Sequence, residues 1–445
     1  MKFENYIDEI AQLIENNINR LKSRNLLKDS KYYMSTENRF DLSYEEFEIL
    51  SEIVDKISED NNFEDKFPKN YIFDKLVKEV IIKSYTLDSR IDEIKSNLKT
   101  RFIKFEEILS EELKDWTYFI PVSGIHIEDN ITFGSMTIYP FNNFKNVILD
   151  YMNNNNISKN HIKYTEAMND ISSLDTLCFV KLTTHGTKET SKDKALNKVY
   201  ELLSIFSLYK PSHINGFGIM GDVLPFDCEL VVYFLNDNNL NISKTRPIRI
   251  RRFNLTESLK HMKKFHLDYL IEIMHKEKLE YVEQKLLNAI QWHYESVKQE
   301  YNFNEYVAET NYNSNEYYEH YDYFKLGNKI INLVSSLESL LIFNNQKTLD
   351  TKKERFNLIM NFQKEEYYDY SNDLDELNKI RNDIAHSNKN YTLLKLNIDK
   401  NTYLIKLFII KFIELKIAFD KDQFKSLNSK NDLNNFYNGK NRLKN

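Results

Sequence analysis

In its last quarter the chain reads Arg381-Asn382-Asp383-Ile384-Ala385-His386. An arginine, a polar residue and a histidine this close together can hold a phosphodiester and move a proton, which is ribonuclease chemistry. Arginine suits the first task because its planar guanidinium stays charged and matches phosphate oxygens. Histidine suits the second because its ordinary pKa, about 6.5, lets it give and take a proton near neutrality. Such spacing recurs by chance, so the elements that position the motif have to decide its meaning.

The motif rides on an amphipathic helix. Leu374, Leu377, Ile380 and Ile384 recur at helical spacing, Asn372 or Asp373 is placed to cap it, and Asp375 can pair with Lys379. Asn382 and His386 are four apart and lie one above the other, opposite the apolar stripe. Arg381 sits at the stripe's edge, about 140° round from His386 on a regular helix. The two side chains meet if the arginine reaches around, if the helix end unwinds, or if a second subunit completes the site. A two-fold dimer is the simplest of these.

Other helices surround the motif. Leu326, Ile330, Leu333, Val334, Leu337, Leu340 and Leu341 mark a long amphipathic helix within FKLGNKIINLVSSLESLLIF, and Leu279, Val282, Leu286, Ile290 and Val297 mark one before it. After the motif, TYLIKLFIIKFIELKIAF is apolar almost all round and reads as a buried closing helix. An all-α bundle follows from this order.

The order resembles the HEPN superfamily. The succession LNAIQW, SSLESLL, LNKIRNDIAH most resembles its Apea-like branch, found in bacterial antiviral proteins, over roughly residues 278–420. That resemblance implies a metal-independent endoribonuclease with no cofactor. Arg381 would contact the scissile phosphate, His386 would act as general acid or base, and Asn382 would be the polar residue that follows the arginine in such motifs. The RNA 2′-hydroxyl would attack its own phosphorus and leave a cyclic phosphate, with the enzyme supplying proton transfer and charge neutralisation. Glu338 falls where Apea-like relatives carry an acidic residue assigned to orienting the site. Some members of the superfamily lack activity and serve only to bind.

Other motifs fail on context. Gly216-Phe217-Gly218-Ile219-Met220-Gly221 matches a dinucleotide fingerprint literally, but no strand-turn-helix pattern surrounds it, and it reads as a glycine turn. No Walker A sequence and no HExxH occurs. Cys178 and Cys228 lie in predicted strands, far from any zinc-like spacing, and read as buried small hydrophobes. His293 falls on the apolar side of its helix as a satisfied core histidine. His261 and His266 read as surface residues of a lysine-rich helix.

Composition bounds the rest. With 445 residues, 41% hydrophobic and 13% aromatic, the chain is globular and large enough for several cores. Two cysteines point to a reducing compartment, and the absence of an apolar leader or of an uninterrupted apolar span points to the cytoplasm. Lys406, Lys411 and Glu414 break the most apolar helix. A net charge of −6 does not advertise nucleic-acid binding, so an RNA-binding surface would have to be local. Its best candidate is the strand-like run Ile248 to Arg252, where Arg249 and Arg251, with Arg252 beside them, would form a basic ridge; a charged, solvated edge strand is the simpler reading. The Tyr-rich stretch from Tyr301 to Tyr323 reads as an acidic linker.

The expected architecture is therefore α+β and multidomain. Residues 1–115 are mainly helical, 116–255 form a mixed α/β sensing or regulatory domain, 256–277 a connecting helix, 278–420 an all-α HEPN bundle, and 421–445 a flexible tail. Within the second region, strands flank a turn at Glu128-Asp129-Asn130, LCFVKL and ELVVYFL are strands, and KALNKVYELLSIFSLY is a helix. The functional expectation is an abortive-infection ribonuclease: an RNA substrate, a homodimer or higher even oligomer, a phage-derived activator and no membrane. The alternatives are a non-catalytic HEPN module that binds RNA or protein, and a toxin-antitoxin type scaffold.

Overall fold

The structure is a computed structural model. It describes residues 4–23, 31–34, 39–61, 63, 66–154, 178–211, 217–219, 233–235, 253–298, 315–342, 348–385, 391–422 and 425–439. The fold is mixed α+β, and the chain divides into two compact units: 1–117 with 183–195, and 118–182 with 196–445.

The first unit is helical around one core. Its helices are α1 (Ile7–Ser23), α2 (Tyr44–Asp60), α3 (Lys69–Lys75) and α4 (Ile91–Glu112), and a short hairpin of β1 (Lys31–Met34) and β2 (Arg39–Leu42) interrupts them. Ile10, Ile14, Leu50, Ile53, Ile57, Leu98 and Phe105 recur at helical spacing and are all buried. Ser43 starts α2 with a capping box to Glu46. Glu46 also takes a two-pronged ion pair from Arg20 at 2.7 and 2.8 Å. Buried Asn17 donates to the Arg39 carbonyl and to the Tyr85 hydroxyl, and its oxygen accepts from the Asp41 backbone N–H. The hairpin was not anticipated; its eight strand residues are too few to show a two-residue alternation.

Strand β3 (Lys114–Ser123) opens the sheet, followed by β4 (Ile125–His126), β5 (Ile131–Phe133), β6 (Met136–Pro140), α5 (Phe141–Asn154), β7 (Cys178–Gly186), α6 (Lys188–Ser207), β8 (Gly218–Ile219), β9 (Tyr233–Leu235) and β10 (Phe253–Asn254). The sheet runs β5-β6-β7-β3-β8, with β9 also on β3. The expected turn joins β5 to its predecessor, and Thr132 opposite Thr137 fixes the β5–β6 register. Tyr118, Phe119 and Ile120 are buried in succession, as in a strand covered on both faces. Leu202, Leu203 and Phe206 of α6 pack inward, and Phe206 meets Phe133 edge-on at 5.3 Å.

The described part of Gly216–Gly221 departs from a simple turn. Gly218 and Ile219 are a buried strand paired antiparallel with Ser123 and Val122. Cys178 is buried as expected, its thiol 3.8 Å from the Val122 carbonyl and pushed up to about 12 by burial. Cys228 and the basic ridge of Arg249, Arg251 and Arg252 lie outside the described residues.

Helices complete the second unit: α7 (Leu255–Lys264), α8 (Leu267–Met274), α9 (Tyr281–Val297), α10 (Asn315–Leu341), α11 (Leu349–Met360), α12 (Ser371–Ala385), α13 (Tyr391–Asp420) and α14 (Lys430–Tyr437). The single connecting helix expected over 256–277 is two helices, because His266 adopts a left-handed φ of 68° between them. The Tyr-rich segment is not all linker either, since α10 already begins at Asn315. The tail expected to fray beyond Lys421 carries α14. Ser429 and Asp432 form its capping box, and Leu427, Leu433 and Phe436 are buried. Few apolar residues sufficed because they are spaced to share one face.

Candidate functional site

The motif helix α12 is anchored at its start. Buried Asn357 of α11 donates to Asp369 Oδ1 at 2.9 Å and to Ser371 Oγ at 3.1 Å, and its oxygen accepts from the Tyr370 N–H at 2.7 Å. Asp369 Oδ1 in turn accepts from the Ser371 hydroxyl and N–H, and these bonds hold its carboxyl below the usual carboxylate range. The helix therefore begins ahead of the expected caps, Asn372 and Asp373. Lys400 pairs with Asp373 and Glu376 instead, and Asp375 pairs with Lys353 of α11 at 2.6 Å rather than with Lys379. Leu374 and Leu377 are completely buried and Ile380 nearly so, a contribution of roughly 2 kcal/mol for each such side chain.

At the other end the functional side chains emerge. Arg381 and Asn382 are exposed, and the Arg381 guanidinium donates to Asn382 Oδ1 at 3.3 Å. An arginine held by its neighbour's amide keeps its remaining N–H groups directed to solvent. Ile384 is half-buried, and its Cγ2 methyl lies 3.2 Å from where a Cβ on Gly327 of α10 would stand. Gly327 is thus where α10 and the end of α12 approach closely. His386 lies outside the described residues.

Glu338 is not brought to this end. It is eleven residues beyond Gly327 on α10, about 16 Å along the axis. There it forms a 2.5 Å ion pair with Lys352 of α11. The SSLESLL sequence gave no sign of this, because periodicity fixes a residue's face on a helix but not its level against a neighbour.

The opposite end of the bundle is tied by a second charge network. Lys416 of α13, 1% exposed, reaches Asp420 at 2.5 Å, Asn428 at 2.9 Å and Glu280 at 3.2 Å. Tyr269 of α8 donates to Asp420, and burial with that carboxylate drives its phenol well above the ordinary range. Tyr437 of α14 donates to the Leu340 carbonyl at 3.1 Å.

His293 is in the core as expected but is only half satisfied. Its Nδ1 pairs with Ser207 Oγ at 3.2 Å, while its buried Nε2 has no hydrogen-bond partner. Burial, followed by the charges of Lys406, Lys210 and Lys329, pushes this imidazole down to about 3. Lys406 was legible only as an interruption of an apolar helix, and nothing in the sequence announced that it reaches the carbonyl of Lys210. His261 is exposed, its ring packed on Phe265.

No protein-family model, curated protein or solved structure matches the chain. Among the described residues no helix is long and apolar enough to cross a membrane, and no group of three His, Cys, Asp or Glu is placed to hold a metal ion.

Proposed function

We propose that the chain is a HEPN-type endoribonuclease that cuts RNA through Arg381, Asn382 and His386. The observation that carries this reading is the contrast along α12: a start locked by Asn357, Asp369 and Ser371, and an end where Arg381 and Asn382 face solvent. A helix fixed in this way presents a cation at a constant place, which is what phosphate positioning requires. Arg381 neutralises the phosphate charge that grows in the transition state, and His386 shuttles the proton of the attacking 2′-hydroxyl. Glu338, committed to Lys352, takes no part.

The setting proposed for this activity is the bacterial cytoplasm, in an abortive-infection response triggered by a phage-derived activator. Because Arg381 and Asn382 both point outward, two copies facing each other across a two-fold axis can enclose one phosphate, and the active species is a dimer. Residues 1–255 hold the nuclease in check.

The test incubates wild-type, Arg381→Ala and His386→Ala protein with total cellular RNA in excess EDTA. Wild type is expected to yield fragments ending in a 2′,3′-cyclic phosphate, and each variant to lose about a hundredfold or more in rate. Equal cleavage by all three, or none by wild type together with its activator, would favour a binding module. A growth assay of full-length and 278–445 chains, each with and without His386→Ala, reports whether the first 255 residues restrain.

A further inference from the structure

The tip of the β5–β6 hairpin is built around the side chain of a residue far along the chain. Phe133 pairs with Met136, so Gly134 and Ser135 are the two central residues of the turn. Gly134 has a φ of 57° and Ser135 is not left-handed, the pattern of a type II′ turn with glycine in its first central place. No side chain would fit there. A Cβ on Gly134 would stand 2.1 Å from Nε2 of His275, the residue that caps the end of α8, because the imidazole lies where that carbon would be. The N–H of Ser135, which a two-residue turn leaves outside the strand ladder, donates to the same Nε2 at 3.4 Å.

The other ring nitrogen fixes the tautomer. His275 Nδ1 lies 2.8 Å from the Ile271 carbonyl, which can only accept, so Nδ1 carries the hydrogen. In the neutral ring Nε2 then keeps a lone pair and can take the Ser135 N–H. A proton added to the ring gives Nε2 a hydrogen too, and two donors would face each other. The bond to Ser135 therefore belongs to the neutral ring alone. The hairpin, residues 131–140, brings no carboxylate or ammonium to the imidazole, and its one titratable side chain is Tyr139. Beside His275 on its own stretch of chain, Glu272 and Glu277 are exposed and Lys276 is paired with Glu283 at 2.5 Å. Tyr269 of α8 is bound to Asp420 of α13.

We propose that His275 is a proton-sensitive latch between the β-sheet and the helices that lead into the bundle, closed while its neutral imidazole is seated on Gly134 and opened when that imidazole is protonated. His275 stands five residues before Glu280, the N-cap of α9, whose carboxylate also takes Lys416 of α13. Acid thus frees the hairpin tip at the entry to the bundle. The latch is separate from Arg381 and Asn382 and stands whether or not the chain cuts RNA.

Hydrogen exchange of the full chain tests this, read by mass spectrometry on peptides spanning residues 131–140 and corrected for the intrinsic pH dependence of exchange. From about pH 7.5 to about pH 5.5 the protection of the hairpin in wild type should fall at least about threefold. His275→Gln has a side-chain oxygen that can accept from Ser135 near the place of Nε2 and that does not titrate, so it should keep the protection at both values. His275→Ala leaves the turn unstrained but unlatched, and should show at the higher pH the low protection that wild type reaches at the lower. The proposal is overturned by a smaller fall in wild type, by the same fall in His275→Gln, or by His275→Ala protected as well as wild type at the higher pH. The comparison of wild type with itself needs no variant to fold.

Discussion

Lys406 and Lys416 lie on the same helix, about 15 Å apart along its axis, and the fold treats them in opposite ways. Lys416 has three acceptors, two of them carboxylates, so its charge is matched and its hydrogens are used. Lys406 has the carbonyl of Lys210 and, beside it, the charge of Lys210. One end of the bundle is therefore closed by opposite charges, while at the other a lysine is buried beside a second lysine and its pKa is pushed down to about 8. The second is also the end where Gly327 meets Ile384 and where Arg381 emerges. Matched buried charge ties helices together, whereas a buried lysine beside a like charge is held in its charged form less firmly.

The largest effect expected from this asymmetry is kinetic. Arg381→Ala should lower RNA cleavage about a hundredfold or more, while Glu338→Gln, at the far level of α10, should leave the rate within about twofold. The two variants are compared by single-turnover rates on one RNA. If Glu338→Gln fell as far as Arg381→Ala, the separation of the two ends as functional and structural would fail.

The next contrast is in stability. Lys416→Met leaves Glu280 and Asp420 without their cation and should cost about 2–3 kcal/mol in urea unfolding. Lys406→Met removes a buried ammonium that donates to one carbonyl and no carboxylate among the described residues, and should change stability by less than about 1 kcal/mol. Equal losses would mean that both lysines are structural ties.

Acid titration probes the same end through His293. Unfolded, its imidazole takes up a proton near its ordinary pKa of 6.5; folded, only near 3. The unfolded chain thus binds more protons between these values, so the stability from a neutral His293 is present above 6.5 and lost as the pH falls. Between pH 6.5 and 5 the loss should be about 2 kcal/mol. Among the described residues, the charged groups acting on the ring are Lys406, Lys210 and Lys329. His293→Gln should flatten that part of the profile in thermal unfolding, and an unchanged slope would assign the acid loss to other groups.

What could be read from the sequence divides along the same line. The helices around the motif were legible because Ile330, Leu333, Leu337 and Leu340 repeat on one face, and the buried stripe is the one the spacing gave. Strands β5 and β6 were legible because Ile131, Phe133, Met136 and Ile138 alternate about a turn. The exposure of Asn382 was legible as the polar side of a helix, whereas Arg381, placed at the edge of the apolar stripe, proves exposed as well. Levels between helices were not: Glu338 shares a helix with Gly327 yet is set against α11. A tertiary partner, Lys353 of α11, took the place of the local pair expected for Asp375.

The smallest effect tests the hinge point of the comparison, Gly327. Glycine inside a helix costs about 1 kcal/mol relative to alanine, so Gly327→Ala should gain that much from the backbone alone. Its new methyl would stand 3.2 Å from Ile384 Cγ2, tighter than ordinary contact by a few tenths of an ångström. Ile384 is only half-buried and can yield, so the steric loss should offset the gain and leave stability within about 0.5 kcal/mol of wild type. Yielding, however, moves the end of α12 and with it Arg381 and Asn382. Cleavage should therefore fall several-fold while the melting temperature stays nearly constant, because a small displacement of a positioning group costs rate before it costs folding. Gly327→Val, with more bulk and poorer helix propensity, should lower both. Were Gly327→Ala to cleave at the wild-type rate, the close approach to Ile384 would be packing alone, and the position of Arg381 would be set by the anchored start of its helix.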